Sequence, residues 1–268
     1  MKLRAATILV AGLLSGAAAS AESLRIAVTT SFHNSGLSDI LLPEIQEDLD
    51  IEVQLLVVGT GQALRLGRSG DADAILVHSR KAEEDFIADG YATHRREIMY
   101  NDFVLIGAAS DPAGVARAST ASEALTLIAG SKSVFVSRGD DSGTHKAELS
   151  IWSEAGLNPA GFGDWYRAVG AGMGAALNTA SGMDAYILAD RASWINFGNK
   201  GGLAVLFEGD PKLFNQYAFL PVNPARHPHV KADLAIRLEE WLAGASCARL
   251  VDGYRLNGEA LFTHNARN

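Results

Sequence analysis

From Leu24 onward the chain alternates short β-type apolar runs with stretches at helical spacing. Leu24–Val28 reads as a strand ending in Thr29-Thr30-Ser31. Ile40, Leu41, Ile45 and Leu49, three to four residues apart, predict a helix over about Ser38–Asp48. Ile51–Val58 is a second strand, closed by Gly59-Thr60-Gly61, and Gln62–Arg68 a helix. Ala74–Val77 is a short, wholly apolar strand, and Lys81–Asp89 a helix stopped by Gly90. Met99–Gly107 predicts a long strand running into the turn Asp111-Pro112-Ala113-Gly114. The pattern then restarts with a helix at Thr120–Ala129, a strand at Ser133–Ser137 and a helix at Thr144–Glu154. A glycine-rich turn at Gly170–Met173 precedes a helix at Gly174–Ala180. Further on we expect a helix at Met183–Leu188, strands at Ala192–Asn196 and Gln216–Val222, and an amphipathic helix at Val230–Leu242.

Strands alternating with helices imply an α/β protein with largely parallel sheets. The two long strands near Phe103 and Phe219 end in Pro-containing turns and suit crossings between lobes. That division makes residues 22–106 with 217–268 one lobe and 107–216 the other. The first 21 residues have a different character: a basic start (Lys2, Arg4), an apolar run Ala5–Ala17 and the small-residue pattern Ala19-Ser20-Ala21. They read as a cleavable secretory signal, too short for a spanning helix. We therefore expect an exported, periplasmic protein.

Composition narrows the class. Of 268 residues 48% are apolar and 20% charged, which excludes disorder and fibrous folds. One cysteine, Cys247, excludes an internal disulfide framework and Cys-rich metal sites. The net charge is −8; without Lys2 and Arg4, 21 basic residues face 31 acidic ones, giving −10. Nucleic acid is not expected as a partner of so acidic a chain.

The segment Ser137-Arg138-Gly139-Asp140-Asp141-Ser142-Gly143-Thr144-His145 joins an apolar strand to a helix. It puts Ser142, Gly143 and Thr144 at a helix N-terminus, where free N–H groups and the helix dipole favour an anion. Arg138 adds a planar fork for oxyanions, and Asp140 is placed to hold it. Alone, the segment reads equally well as an ordinary cap beside a surface ion pair. Three other strand-to-helix junctions, Thr29-Thr30-Ser31, Gly59-Thr60-Gly61 and Gly170 to Gly174, are also small or hydroxyl-rich. In open α/β sheets such junctions line the ligand crevice. Together they suggest an anion held by neutral donors, which reconciles an acidic protein with an anionic ligand.

Competing motifs are weaker. The chain lacks GxxxxGK[ST] and GxSxG, and Gly170-Ala171-Gly172 lacks the rest of a dinucleotide fingerprint. His227 and His229 flank Pro228 and read as loop residues before metal ligands; His145 beside Ser142 leaves a secreted Ser/His hydrolase as the enzymatic alternative. His78 ends a buried strand, as a core residue or a pocket donor.

Arg138–His145, Val58–Leu64, Gly70–Asp73, Met99–Phe103, Asp111–Gly114, Gly172-Met173-Gly174 and Asn223-Pro224 together resemble the tungstate-binding periplasmic proteins of ABC importers. The resemblance covers nearly the whole chain after the signal. It implies a two-lobed type II periplasmic-binding-protein fold, each lobe a mostly parallel sheet flanked by helices, on a two-strand hinge. It also implies capture of tungstate, and molybdate with it, without chemistry, cofactor or cationic metal, by a monomer that serves a membrane permease. Other tetrahedral oxyanions, phosphate or sulfate, are the alternative cargo. The expected ligand residues are Thr30, Ser31, Thr60, Gly61, Arg138, Ser142, Gly143, Thr144, Gly172, Met173 and Gly174, supported by Asp140 and His78. The family's first loop carries three Thr and a Ser; here Val28 replaces the first hydroxyl. Related phosphate binders place an Asp near the end of the third strand, where this chain has Val77-His78-Ser79. The pocket is thus expected to offer donors and no acceptor for a protonated oxyanion.

Overall fold

A computed structural model describes residues 22–267, so the signal-peptide expectation lies outside the described residues. The chain opens with β1 (Glu22–Thr29), α1 (Thr30–Asn34), α2 (Leu37–Leu49), β2 (Ile51–Val58), α3 (Thr60–Ser69), β3 (Ala74–Val77) and α4 (Arg80–Ala88). β4 (Arg96–Ala108) leads to α5 (Ala121–Ser131), β5 (Phe135–Ser137), α6 (Gly143–Glu154), β6 (Tyr166–Ala168) and α7 (Met173–Met183). Then come β7 (Tyr186–Asp190), α8 (Arg191–Asn196), β8 (Leu203–Phe207), β9 (Phe214–Pro221), α9 (Ala232–Ala243) and α10 (Ala245–Gly253).

One strand organises both halves. The sheet runs β2-β1-β3-β9-β4-β7-β5-β6, with β8 also on β4. The N-terminal part of β4, Arg96–Asp102, pairs antiparallel with β9, while Phe103–Ala108 pairs with β7 and β8. β4 changes partners between Asp102 and Phe103. The return falls at Phe214, which already pairs with Asp102. β1 lies parallel to β2 and β3, and β5 parallel to β6 and β7, so each half has a parallel part with helices on its faces.

The cores follow from the alternation. Ala27, Ile75, Phe86 and Leu220 pack on one face of the first sheet. Phe103, Phe135, Trp152 and Tyr186 build a separate aromatic core in the second half. A third cluster, from Ile26 and Phe32 to Leu177 and Ile187, includes residues of both halves. Burying each large apolar side chain contributes about 1.5–3 kcal/mol before entropy is set against it.

Two expectations fail next to one another. Met183–Leu188 is not a helix: α7 ends at Met183, Asp184 turns left-handed (φ 49°), and Tyr186–Asp190 is a fully buried strand. Ala192–Asn196 is not a strand but most of α8, capped by Asp190, whose Oδ1 accepts from Ser193 N at 2.8 Å. A short apolar run has no period to read, and only tertiary burial decides its form. Among the described residues, no helix is long and apolar enough to cross a membrane.

Candidate anion-binding site

Four helix starts meet where the two halves touch. Thr29 caps α1, its Oγ1 accepting from Phe32 N at 3.3 Å. Ser31, one residue into that helix, is buried in a polar knot: its Oγ lies 3.0 Å from Thr29 Oγ1, 3.2 Å from His78 Nε2 and 3.3 Å from Tyr217 Oη. Thr30 is only half-buried. At the start of α3, Thr60 is 0% exposed and its hydroxyl meets no hydrogen-bond partner among the described residues.

The second half contributes α6 and the loop before it. Ser142 caps α6 by accepting from His145 N at 3.1 Å, which leaves its own hydroxyl proton to donate. Gly143 and Thr144 supply N–H groups with no acceptor in their own helix. The Thr144 hydroxyl is buried and, like that of Thr60, unpartnered. Arg138, 3% exposed, is gripped from two sides: Nη2 donates to Asp140 Oδ2 at 2.5 Å and Nε to the Ala171 carbonyl at 3.3 Å. Asp140 Oδ1 also accepts from Ser142 N at 3.2 Å. Arg138 therefore ties the α6 loop to the turn before α7.

The remaining predicted residues sit differently. Gly172 caps α7, the Met173 side chain is packed in the core, and Gly172 and Gly174 are exposed. Only backbone N–H groups are available from this helix start. Gly61 is a contact between the halves in this conformation: its N–H donates to the Asp141 carbonyl at 3.1 Å, and any Cβ would collide with the Asp141 carboxylate. Gly143 faces His78 as closely, since a Cβ there would stand 2.5 Å from the imidazole Cε1. His145 Nδ1 is engaged by the Asp140 carbonyl and not by the Ser142 hydroxyl, so no Ser–His couple forms here. His227 and His229 bond the carbonyls of Arg68 and Gly70 at the end of α3.

Three residues escaped the sequence reading. Tyr217 on β9 and Asn215 beside it support Ser31 and His78 from the crossing strands. Asp190, at the end of β7, is 0% exposed, and its Oδ2 has no partner among the described residues. The charge of Arg138 acts on it, and its own charge acts on Tyr217, so it lies between donors of both halves. The donor-only picture is therefore incomplete: a carboxyl is present, on β7 and not after β3. The Asp-Arg pair after the run Ala185–Ala189 was its one visible trace.

Most of the donors gathered here are neutral. Burial pushes the His78 imidazole down to about 4, opposed by Asn215 and assisted by Arg138, so it is uncharged at neutral pH. Burial also pushes the Tyr217 phenol up, leaving it a hydroxyl donor. Arg138 is the cation of the set. At the rim, partial burial works to raise the Asp141 carboxyl, but Lys146 (2.5 Å) and Arg65 (3.3 Å) outweigh it and hold it below the ordinary range. A buried arginine, unspent hydroxyls and helix N-termini are suited to a dehydrated tetrahedral dianion.

The fold is that of a two-lobed solute-binding protein. A model of the PBP superfamily domain matches residues 15–246. The tungstate-binding protein TupA of Peptoclostridium acidaminophilum is 44% identical over 248 residues, 91% of this chain and 86% of that one. Two solved structures are similar as well. The tungstate ABC transporter protein of Geobacter sulfurreducens is 45% identical (TM-score 0.80; 87% of this chain, 99% of that one). The tungstate-binding protein of Desulfovibrio alaskensis is 43% identical (TM-score 0.81; 92% and 100%). The chain belongs to the tungstate-binding family of periplasmic binding proteins.

Proposed function

We propose that the protein captures tungstate, and molybdate with it, between its lobes in the periplasm and delivers it to a membrane ABC permease without transforming it. We place the lobe crossings at Asp102/Phe103 and at Phe214, where β4 changes partner and β9 begins. One observation carries this reading: two buried threonine hydroxyls that meet no partner among the described residues, Thr60 and Thr144, start helices in opposite lobes, and the second lobe also buries Arg138. Buried polar groups are nearly always satisfied, so such a pair supports a place there for a ligand's oxygens. Ser31, Ser142, and the N–H groups of Gly143, Thr144 and the α7 start complete the donor set. Asp140 orients Arg138, and Tyr217 orients Ser31.

Size sets the selectivity. Tungstate and molybdate are nearly equal in size and deprotonated at neutral pH. Sulfate has shorter bonds and leaves donors of a larger cradle out of hydrogen-bond range. Calorimetric titration at pH 7 with the four oxyanions tests this. Tungstate and molybdate should bind one per chain, and sulfate and phosphate far more weakly. Sulfate or phosphate binding as tightly as tungstate in direct competition would overturn the assignment.

A further inference from the structure

The charges already buried between the lobes do not favour a dianion as they stand. Arg138 is matched by Asp140 at 2.5 Å, and a second carboxyl, Asp190, is more deeply buried than either. His78 and Tyr217 are neutral, and the neighbouring Arg191 is committed to Asp102 (2.6 Å) and Glu208 (2.6 Å). With both carboxylates ionised, a dianion would meet two negative charges and one positive among Asp140, Asp190 and Arg138. The energy of like charges in such a place is relieved by protonating one of them.

Geometry singles out Asp190. Asp140 has both oxygens occupied, by Arg138 and by Ser142 N. Asp190 has one oxygen occupied, by Ser193 N, and Oδ2 meets no partner among the described residues. Burial already pushes this carboxyl up, against the pull of Ser193 and Arg138. Resting on the reading of the site as an oxyanion cradle, we propose that capture of the dianion is coupled to uptake of one proton on Asp190, carried at Oδ2. The protein then binds tungstate plus a proton, and the neutral acid becomes a donor in a set of donors. Asp190 is in this sense a specificity residue: ionised, it repels a dianion that has no proton to give; protonated, it donates to one that needs only donors.

The groups facing Asp190 shape the pH range. Arg138 comes from the loop after β5 and Tyr217 from β9, while His78, in the turn after β3, feels the same Arg138 and packs on Tyr217. Burial pushes the Tyr217 phenol well above its ordinary range, which leaves Asp190 and His78 as the candidates for the proton. The two are separable by mutation. Asp190→Asn keeps the α8 cap, since Asn caps as well as Asp, and its amide presents an N–H where the acid would carry its proton.

The test is calorimetric titration of the whole protein with sodium tungstate from pH 7 to 10, in pairs of buffers differing in ionisation enthalpy. Wild type should take up close to one proton per tungstate at the alkaline end, its affinity falling about tenfold per pH unit there. Asp190→Asn should take up none and show a flat profile, with affinity at pH 9 no weaker than wild type. His78→Gln should retain the uptake. Tungstate binding by wild type with no proton uptake anywhere in the range overturns this inference and leaves the oxyanion function standing. Uptake that persists in Asp190→Asn, or vanishes in His78→Gln alone, overturns the assignment to Asp190. Absence of tungstate binding by wild type overturns the function and the inference together.

Discussion

Arg138 spends two of its nitrogens on holding still, and the consequence is a guanidinium fixed before the ligand arrives. Nη2 is on Asp140 and Nε on the Ala171 carbonyl, and Nη1 has no hydrogen bond among the described residues. Truncating one member of a buried, hydrogen-bonded charge pair costs about 2–5 kcal/mol, roughly 30-fold to several thousand-fold in affinity. Arg138→Ala should lose tungstate affinity by that much in a titration, and Arg138→Lys should recover only part, because an ammonium lacks the fork. Affinity for Arg138→Ala within twofold of wild type would remove it from the site. Arg138, Ser142 and Thr144 were legible because a strand, a small-residue turn and a helix follow one another in ten residues. Asp190 and Tyr217 were not, because what makes them special is a neighbour from the other lobe, and local pattern carries no such contact.

At the scale of elements, the helices with polar faces and the strands bounded by Gly or Pro were readable, whereas β7 and α8 were exchanged. Tyr186–Asp190 is buried on every side, which erases the alternation that marks a strand. The turn from β3 to α4 carries a pH dependence of its own. Glu83, fully buried, accepts from Ser79 N (2.6 Å) and Arg95 Nε (2.8 Å), and burial still lifts its carboxyl to about 7. A raised carboxyl binds its proton more tightly folded than unfolded, so its contribution is full below about pH 4.5 and lost as pH rises through 7. His78 is depressed from 6.5 to about 4, so its contribution is full above 6.5 and lost as pH falls through 4. The two slopes oppose between about pH 4.5 and 6.5. Urea unfolding of Glu83→Gln should therefore show stability rising from pH 4 to 6.5 and then level, without the wild-type loss toward pH 7.5. The whole Glu83 contribution is on the order of 3 kcal/mol, but His78 offsets most of it below pH 6.5, so the wild-type loss from there to pH 7.5 is under about 1 kcal/mol. A Glu83→Gln profile parallel to wild type would place the proton elsewhere.

For the whole molecule, polar contacts across the halves include Gly61 N to Asp141 O, Arg65 to Asp141, His78 against Gly143, and Asn196 Nδ2 to the Asn34 carbonyl at 3.0 Å, beside the apolar cluster that spans both. Ligand bound between them should add to that stability. At a thousandfold excess over Kd, mass action adds about 4.1 kcal/mol, which for this size raises Tm by roughly 8–16 °C. X-ray scattering should show a smaller radius of gyration with tungstate. Gly143→Ala sets a methyl against an imidazole that Tyr217 (4.7 Å between rings) and Phe103 (6.2 Å) keep in place. Such overpacking costs about 1–3 kcal/mol, roughly 5- to 150-fold in affinity. An unchanged affinity and a full contraction in Gly143→Ala would show that this seam does not govern closure.

The position of β9 has a consequence for how the molecule is made. It lies between β3 and β4 in the first sheet, yet the chain reaches it only after building all of the second half. Until Phe214–Pro221 has emerged, the wholly apolar β3 has a bare edge and the first lobe cannot close its core. An incomplete nascent chain therefore has its first half unfinished even when the second is whole, and maturation waits on long-range pairing, which is slow and leaves sticky edges open meanwhile. A chain cut anywhere before β9 lacks the strand that closes the first sheet and is not a smaller binding protein.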